Sequence, residues 1–284
     1  MTRTNSAAWL QAARQKLSAS SEEPALEAQL LLSHILSRPR AWLLAHPETS
    51  LSAGQLERLD ALLDAFASGQ PLPYLLGRWE FYGLDFLVTP DVLIPRPETE
   101  LLVEEGLAWV KTRPGICRVA DVGTGSGCIA ASLAKHAPGA RIVAMDISFP
   151  ALRVSACNLT RLGLQERVGL VQCDLLSACA GPFDLVCANL PYIPSSTLTG
   201  LEVARYEPPI ALDGGPDGLR LIERLLIQST SRLAPGGLLL LEIEAGQGES
   251  ARELGERLFP DAKSGVSNDL AGKPRLLRIE TASS

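Results

Sequence analysis

The chain has 284 residues, with 26 Lys and Arg against 32 Asp and Glu, for a formal charge of −6 and a pI near 5.2. A hydrophobic content of 46% with 20% charged residues describes an ordinary globular chain, long enough for one substantial domain and a smaller one. The acidic balance argues against a large nucleic-acid footprint, which needs surplus cations along one face.

The N-terminal stretch Met1 to Ser6 leads into an amphipathic segment without a continuous apolar signal core, and no later run is long enough to span a bilayer. Six cysteines (Cys117, Cys128, Cys157, Cys173, Cys179 and Cys187) contain no C-x-x-C pair and fall mostly in apolar stretches. They are expected to be reduced structural thiols, and the compartment to be the cytoplasm.

Residues 1–70 predict helices only. Ala8, Trp9, Ala12 and Leu17 lie at roughly helical spacing, and Ala25, Leu26, Ala28, Leu30, Leu31, Ile35 and Leu36 form a stronger stripe after Pro24. Ser52-Ala-Gly-Gln55 has the form of a capping box, opening a helix through Leu56, Leu59, Leu62, Leu63 and Phe66 that Gly69 ends. A small helical bundle packs these faces most simply.

Residues 71–92 are expected to link this bundle to a catalytic domain over 93–284. Within the linker, Trp79–Tyr82 and Leu84–Val88 flank Gly83 as a short β-hairpin. Leu93-Ile-Pro-Arg-Pro-Glu-Thr-Glu100 then makes an extended approach to a helix through Leu101, Leu102, Leu107 and Val110.

From Arg118 onward strands alternate with helices. Expected strands cover Arg118–Val122, Arg141–Asp146, Val168–Gln172, Phe183–Ala188 and Leu238–Ile243, with a final pair near Ala262–Val266 and Arg275–Ile279. Helices are expected over Cys128–His136 and Pro150–Leu162. The alternation predicts an α/β fold: a doubly wound, mostly parallel, Rossmann-like sheet whose ligands lie beyond the carboxyl ends of its strands.

Two segments at such strand ends carry chemistry. In Asp121-Val-Gly-Thr-Gly-Ser-Gly127 the residues Gly123, Thr124, Gly125, Ser126 and Gly127 form a turn that lets backbone approach a ligand closely. Cys128 breaks the G-x-G-x-x-G dinucleotide spacing, and no G-x-x-x-x-G-K-[ST] is present. G-x-G-x-G after an Asp is instead the pattern of Rossmann-like methyltransferases using S-adenosylmethionine (SAM). Asp146 would then accept from both ribose hydroxyls, while Asp174 would meet the adenine amino group and Leu175 pack beside the ring. The competing reading is a glycine-tightened βα turn without a ligand.

Asn189-Leu190-Pro191-Tyr192 follows the fourth strand. The Asn189 side-chain oxygen and the Leu190 carbonyl can accept both N–H bonds of a planar amide or amino group, with Tyr192 against its flat face. This holds a weak nitrogen nucleophile for alkylation, and no dedicated base is required. Arg96 and Glu98 are candidates for an ion pair over the entrance, with Arg96 alternatively touching substrate. Arg205 and Glu207 carry the same ambiguity. His34, His46 and His136 are too dispersed for a metal, and the four Trp residues are expected to be packing anchors.

These segments resemble the PrmC/HemK family, which methylates the side-chain amide of the Gln in the Gly-Gly-Gln loop of class I peptide chain release factors. The resemblance spans nearly the whole chain: Pro73–Gly77, Glu80–Gly83, Leu93–Glu100, Asp121–Gly127, Asn189–Tyr192, Arg205–Pro208 and Ala211–Gly218. It implies SAM contacts at Gly123 to Gly127, Asp146, Leu175 and Asn189, an acceptor Gln held by Asn189 to Tyr192, and an N-terminal helical domain that helps dock the protein substrate. A monomer is expected, with no nucleic-acid substrate and no membrane. Two departures stand out: Leu190 replaces the first Pro of the usual Asn-Pro-Pro-Tyr, and Glu244 occupies a position that is often small. Alternative acceptors are a ribosomal-protein Gln and a flipped adenine, whose N6 amine is similarly planar. A SAM-binding module without catalysis is a third reading.

Overall fold

The computed structural model describes residues 4–19 and 21–283; Met1 to Arg3, part of the N-terminal stretch read above, lie outside it. The chain divides into two compact units, 1–77 and 78–284.

The first unit contains α1 (Ser6–Leu17), α2 (Pro24–Leu36), α3 (Arg40–Ala45), α4 (Ala53–Ala67) and α5 (Leu72–Leu76). Its core gathers Trp9, Ala13, Leu17, Leu31, Leu32, Leu59 and Leu63. The stripe of α1 runs through Trp9, Ala13 and Leu17 at four-residue intervals, and Ala8 and Ala12 face outward, contrary to expectation. Trp9 and its i+4 partners sit one above another on a single face, and that large ring sets the phase of the helix. Both halves of the Ser52 capping box form: Gln55 N–H donates to Ser52 Oγ at 3.2 Å, and Ser52 N–H donates to Gln55 Oε1 at 2.9 Å.

Residues 71–92 do not form a separate linker. Leu72–Leu76 is helical and packs in the first unit, whereas the hairpin of β1 (Arg78–Phe81) and β2 (Leu84–Leu87) belongs to the second. Tyr82 and Gly83 both have positive φ (51° and 71°), the requirement of a two-residue type I′ turn.

The second unit continues with α6 (Glu100–Lys111), β3 (Cys117–Val122), α7 (Cys128–His136), β4 (Ala140–Asp146), α8 (Phe149–Leu162), β5 (Val168–Gln172) and β6 (Phe183–Ala188). A short β7 (Ile193–Pro194) and α9 (Ser195–Leu198) lead to β8 (Asp213–Gly215), α10 (Arg220–Ser229), β9 (Leu233–Glu242), α11 (Gly248–Leu258), β10 (Lys263–Asn268) and β11 (Pro274–Glu280). Seven strands make one sheet in the order β10-β11-β9-β6-β3-β4-β5, parallel from β9 to β5, with β11 antiparallel to both its neighbours.

Both faces of the sheet are buried, which is why the strands read as unbroken apolar runs. Val119, Leu185, Cys187 and Leu240 pack in one core with α6, α7 and α8, while Ala120, Val186, Leu239 and Leu241 pack in another with α10 and α11. The strand order reverses between β3 and β6, so a ligand crevice opens beyond their carboxyl ends.

Candidate active site

Strand register brings the two motifs together. Val122 pairs with Ala188 and Ala188 pairs with Leu241, so Gly123, Asn189 and Glu242 each stand one residue past a paired row. A Cβ added at Gly123 would come within 3.0 Å of the Leu190 side chain. With a φ of 74° as well, the loop after β3 passes the loop after β6 most easily as glycine.

A cavity of about 430 Å³ occupies this crevice, a size suited to a small cofactor. Its wall includes Gly123, Thr124, Gly125, Ser126, Asp146, Asp174, Leu175, Asn189, Leu190, Pro191 and Arg96, all anticipated from sequence. Asp121, Gly127 and Tyr192 are not on that wall.

Asp121 is wholly buried and works on the glycine turn from inside. Its Oδ2 accepts from Thr124 Oγ1 at 2.6 Å and from Ala130 N–H at 3.1 Å. Its Oδ1 is buried with no partner among the described residues, and burial pushes the carboxyl up to about 7. Gly127, at φ 81°, forms the N-cap of α7 and does not form cavity wall.

The loop is tied to β4 by Gly123 and Thr124 N–H groups donating to the Met145 carbonyl at 2.8 and 2.9 Å. Asp146 Oδ2 accepts from Gly125 N–H at 2.9 Å and Oδ1 from Ser148 N–H at 2.8 Å; burial holds this carboxyl above its usual range. Each oxygen keeps a lone pair for a further donor. Leu175, at φ 52°, is buried, and its rare backbone conformation for a branched side chain lies on the cavity wall. Asp174 meets Arg224 of α10 at 2.5 Å, an ion pair on the wall that commits one oxygen of a residue expected to face adenine.

These features fit SAM. Asp146, on the cavity wall, offers two oxygens to a ribose diol. A Cβ at Gly125 would meet no protein atom within 4 Å, so that glycine faces open cavity space.

Asn189 presents its acceptor oxygen through a buried chain. Its Nδ2 donates to Thr99 Oγ1 at 3.0 Å, and Thr99 donates to Glu242 Oε2 at 2.6 Å. Tyr192 hydroxyl donates to Glu242 Oε1 at 3.3 Å, and burial beside that carboxylate pushes its phenol pKa up, keeping it a neutral donor. Tyr192 thus braces Glu242, in place of the expected ring face on the cavity wall. Asn189 Oδ1 and the Leu190 carbonyl accept no hydrogen bond among the described residues. Next to them, the Tyr192 carbonyl is held by Gln247 Nε2 at 3.0 Å.

Arg96 pairs with Glu207, not with the exposed Glu98; the other Glu207 oxygen accepts from Ile94 N–H at 3.1 Å. Two residues apart at the entry to a helical turn, Arg96 and Glu98 project apart, while Glu207 is 4% exposed beneath the Arg96 segment. Glu244 is an exposed cap: its carboxylate accepts from Gly246 N–H at 2.6 Å, and its own N–H donates to Gln247 Oε1 at 3.0 Å. Leu190 is 4% exposed and fills the space against Gly123.

Sequence reasoning missed Thr99, Asn158 and Glu242. Asn158 is fully buried, exchanging two bonds with the Leu87 backbone (2.7 and 3.0 Å) and donating to the Ser126 carbonyl at 2.9 Å. It joins the hairpin to the glycine turn. A carboxylate continuing the apolar run Leu238–Leu241 was the one available signal for Glu242.

Comparison with known proteins adds an independent line. The PrmC N-terminal domain model matches residues 8–77 and the methyltransferase small domain model matches 99–205. A protein from Moorella thermoacetica named release factor glutamine methyltransferase is 45% identical over 89% of this chain and 90% of its own length. An Escherichia coli protein of the same name is 40% identical over 86% of this chain and 88% of its own. Among solved structures, a methyltransferase from Pyrococcus furiosus aligns with a TM-score of 0.52 and 18% identity, covering 81% of this chain and all of that one, which speaks to the fold.

Proposed function

The chain belongs to the release factor glutamine methyltransferase family, and from that premise we propose that Asn189 to Tyr192 presents the Gln side-chain amide of the Gly-Gly-Gln loop of a class I release factor for N5-methylation. The observation that carries this reading is the pair of unengaged acceptors, Asn189 Oδ1 and the Leu190 carbonyl, one register step from the glycine turn.

SAM, when bound, supplies an electrophilic methyl group on a sulfonium. The side chains of this protein supply orientation and charge stabilisation. An amide nitrogen is a poor nucleophile because its lone pair is delocalised into the carbonyl. Two acceptors on its two N–H bonds fix the plane of the amide, aim the nitrogen lone pair, and stabilise the positive charge that develops there. Gly123 to Ser126 with Asp146 and Leu175 would hold the donor, on a turn that Asp121 braces from inside. Buried Leu190 adds an apolar side chain to the cavity wall beside the clamp. Leu190 serves through its carbonyl, which any residue possesses, so the departure from Asn-Pro-Pro-Tyr leaves the clamp intact.

The helical first unit is read as the part that docks the release factor. We read the protein as acting as a monomer, in the cytoplasm where release factors work.

The test is methyl transfer from SAM to unmethylated release factor, followed by peptide mass mapping. One added methyl on the Gly-Gly-Gln glutamine, absent when that Gln is replaced, is the expected result. No transfer to folded release factor despite measured SAM binding would redirect the reading to a ribosomal-protein Gln. Asn189→Ala should lose turnover while keeping SAM affinity; unchanged turnover would remove the clamp.

A further inference from the structure

We propose that Thr99 and Glu242 are positioning residues for methyl transfer, setting which end of the Asn189 amide faces the acceptor. The inference rests on the clamp reading above and deepens it.

It follows from counting protons. Thr99 is 2% exposed and Glu242 2% exposed, and their contact is 2.6 Å. An ionised carboxylate has no proton, so in that contact Thr99 must donate. A hydroxyl has only one proton, and once it is given to Glu242, Thr99 can only accept from Asn189. Asn189 must then turn Nδ2 toward Thr99, at 3.0 Å, and Oδ1 toward the cavity. The two ends of an amide are nearly equal in shape, so packing alone does not choose between them. Were the amide reversed, its NH₂ would oppose the NH₂ of the acceptor, donor against donor, and the clamp would release its substrate.

Glu242 is itself held in place. Tyr192 donates to its second oxygen, and the charge of Arg275 favours its ionised form, while Glu98 opposes it. Cys128 and Tyr192 both sense its charge. Burial nevertheless lifts the Glu242 carboxyl to about 6. Below that pH the protonated carboxyl can donate to Thr99, the hydroxyl is freed to donate to Asn189 Oδ1, and the enforced orientation is lost. Turnover at saturating SAM should therefore fall as pH drops through about 6.

The experiment compares Glu242→Gln, Thr99→Val and Thr99→Ser in the full chain, with Asn189→Ala as control. Turnover on release factor is read at saturating SAM across pH 5 to 8.5, and SAM affinity by calorimetry. Glu242→Gln can donate to Thr99 and reverse the chain, so turnover should drop on the order of 100-fold or more, the scale of one lost oriented group in an active site. SAM affinity should stay within a few-fold. Thr99→Val should fall similarly, Thr99→Ser should retain most activity, and Thr99→Val combined with Glu242→Gln should be no worse than either single variant. The acid limb near pH 6 should vanish in Glu242→Gln. Should that variant not fold, the near-isosteric Thr99→Val and its Ser counterpart carry the test alone. Turnover near wild type in Thr99→Val, or equal losses in Thr99→Val and Thr99→Ser, overturns the proposal. If Asn189→Ala also keeps its turnover, the clamp itself fails; if only Asn189→Ala is inactive, the clamp stands without its relay.

Discussion

Replacing Asp121 with Asn should make the unliganded protein more resistant to unfolding at alkaline pH than at acidic pH, relative to wild type. The carboxyl is fully buried, and its folded-state value is about 7 against an ordinary 3.8. The fold therefore binds a proton that the unfolded chain has already released, and stability falls as pH rises from about 4 through 7. A gap of about three units amounts to roughly 4 kcal/mol once both states are ionised. Of this, roughly 2 kcal/mol is already lost by pH 5, and the rest disappears between pH 5 and 8. Asn keeps an oxygen for Thr124 and Ala130 but places an NH₂ where Oδ1 has no partner, a pH-independent cost of about 1–3 kcal/mol. The net effect at a single pH is thus small, but its slope is not: the difference between variant and wild type should grow by about 2–3 kcal/mol from pH 5 to pH 8. Urea titrations at four pH values measure it. A stability difference that stays flat across that range would refute the reasoning, because it would mean that Asp121 ionises in the fold as easily as in water.

Asn158→Ala should lower stability by about 3 kcal/mol in urea melts, since it strips three hydrogen bonds of a buried side chain that join Leu87 to the Ser126 turn. Gly218→Ala would set a Cβ 2.1 Å from the Tyr192 carbonyl at a φ of +78°, so turnover should collapse while calorimetric SAM affinity stays within a few-fold. Arg96→Ala leaves the buried Glu207 carboxylate without its cation and should cost about 3 kcal/mol, an effect that a urea titration would show missing if the pair were dispensable.

What could be read from the chain is what local spacing encodes. The glycine turn, the end of β6 before Asn189 and the Ser52 box are each contained in a few consecutive residues, and the strand–helix alternation needs only the next element. The partners of Asn189 are different in kind. Thr99 lies 90 positions before it, and Thr99 and Glu242 are 143 apart, so no window of sequence holds both ends of the relay. Arg96 and Glu207 are separated by 111 positions for the same reason, which is why nearby Glu98 looked like the partner. The start of β9 was hidden by chemistry. Pro235-Gly236-Gly237 reads as a turn, yet the strand runs from Leu233 through it, because between the Phe183–Leu233 and Leu185–Leu238 pairs the register shifts to absorb the extra residues. Tyr192 followed a strand and looked like a platform for a flat group; only the position of the Glu242 carboxylate shows that its hydroxyl is the working end.

The wide spacing of the relay also sets when the protein can become an enzyme during its own synthesis. A nascent chain that ends before Leu233 already contains the glycine turn, Asp146 and the whole Asn189–Tyr192 segment. It lacks β9, the strand that lies against β6 and brings Glu242 beside Thr99. Such an intermediate holds the residues of the donor cavity but has nothing to orient the acceptor clamp. The relay is complete only once β9 has been made and laid against β6, closing the circuit that the earlier segments left open.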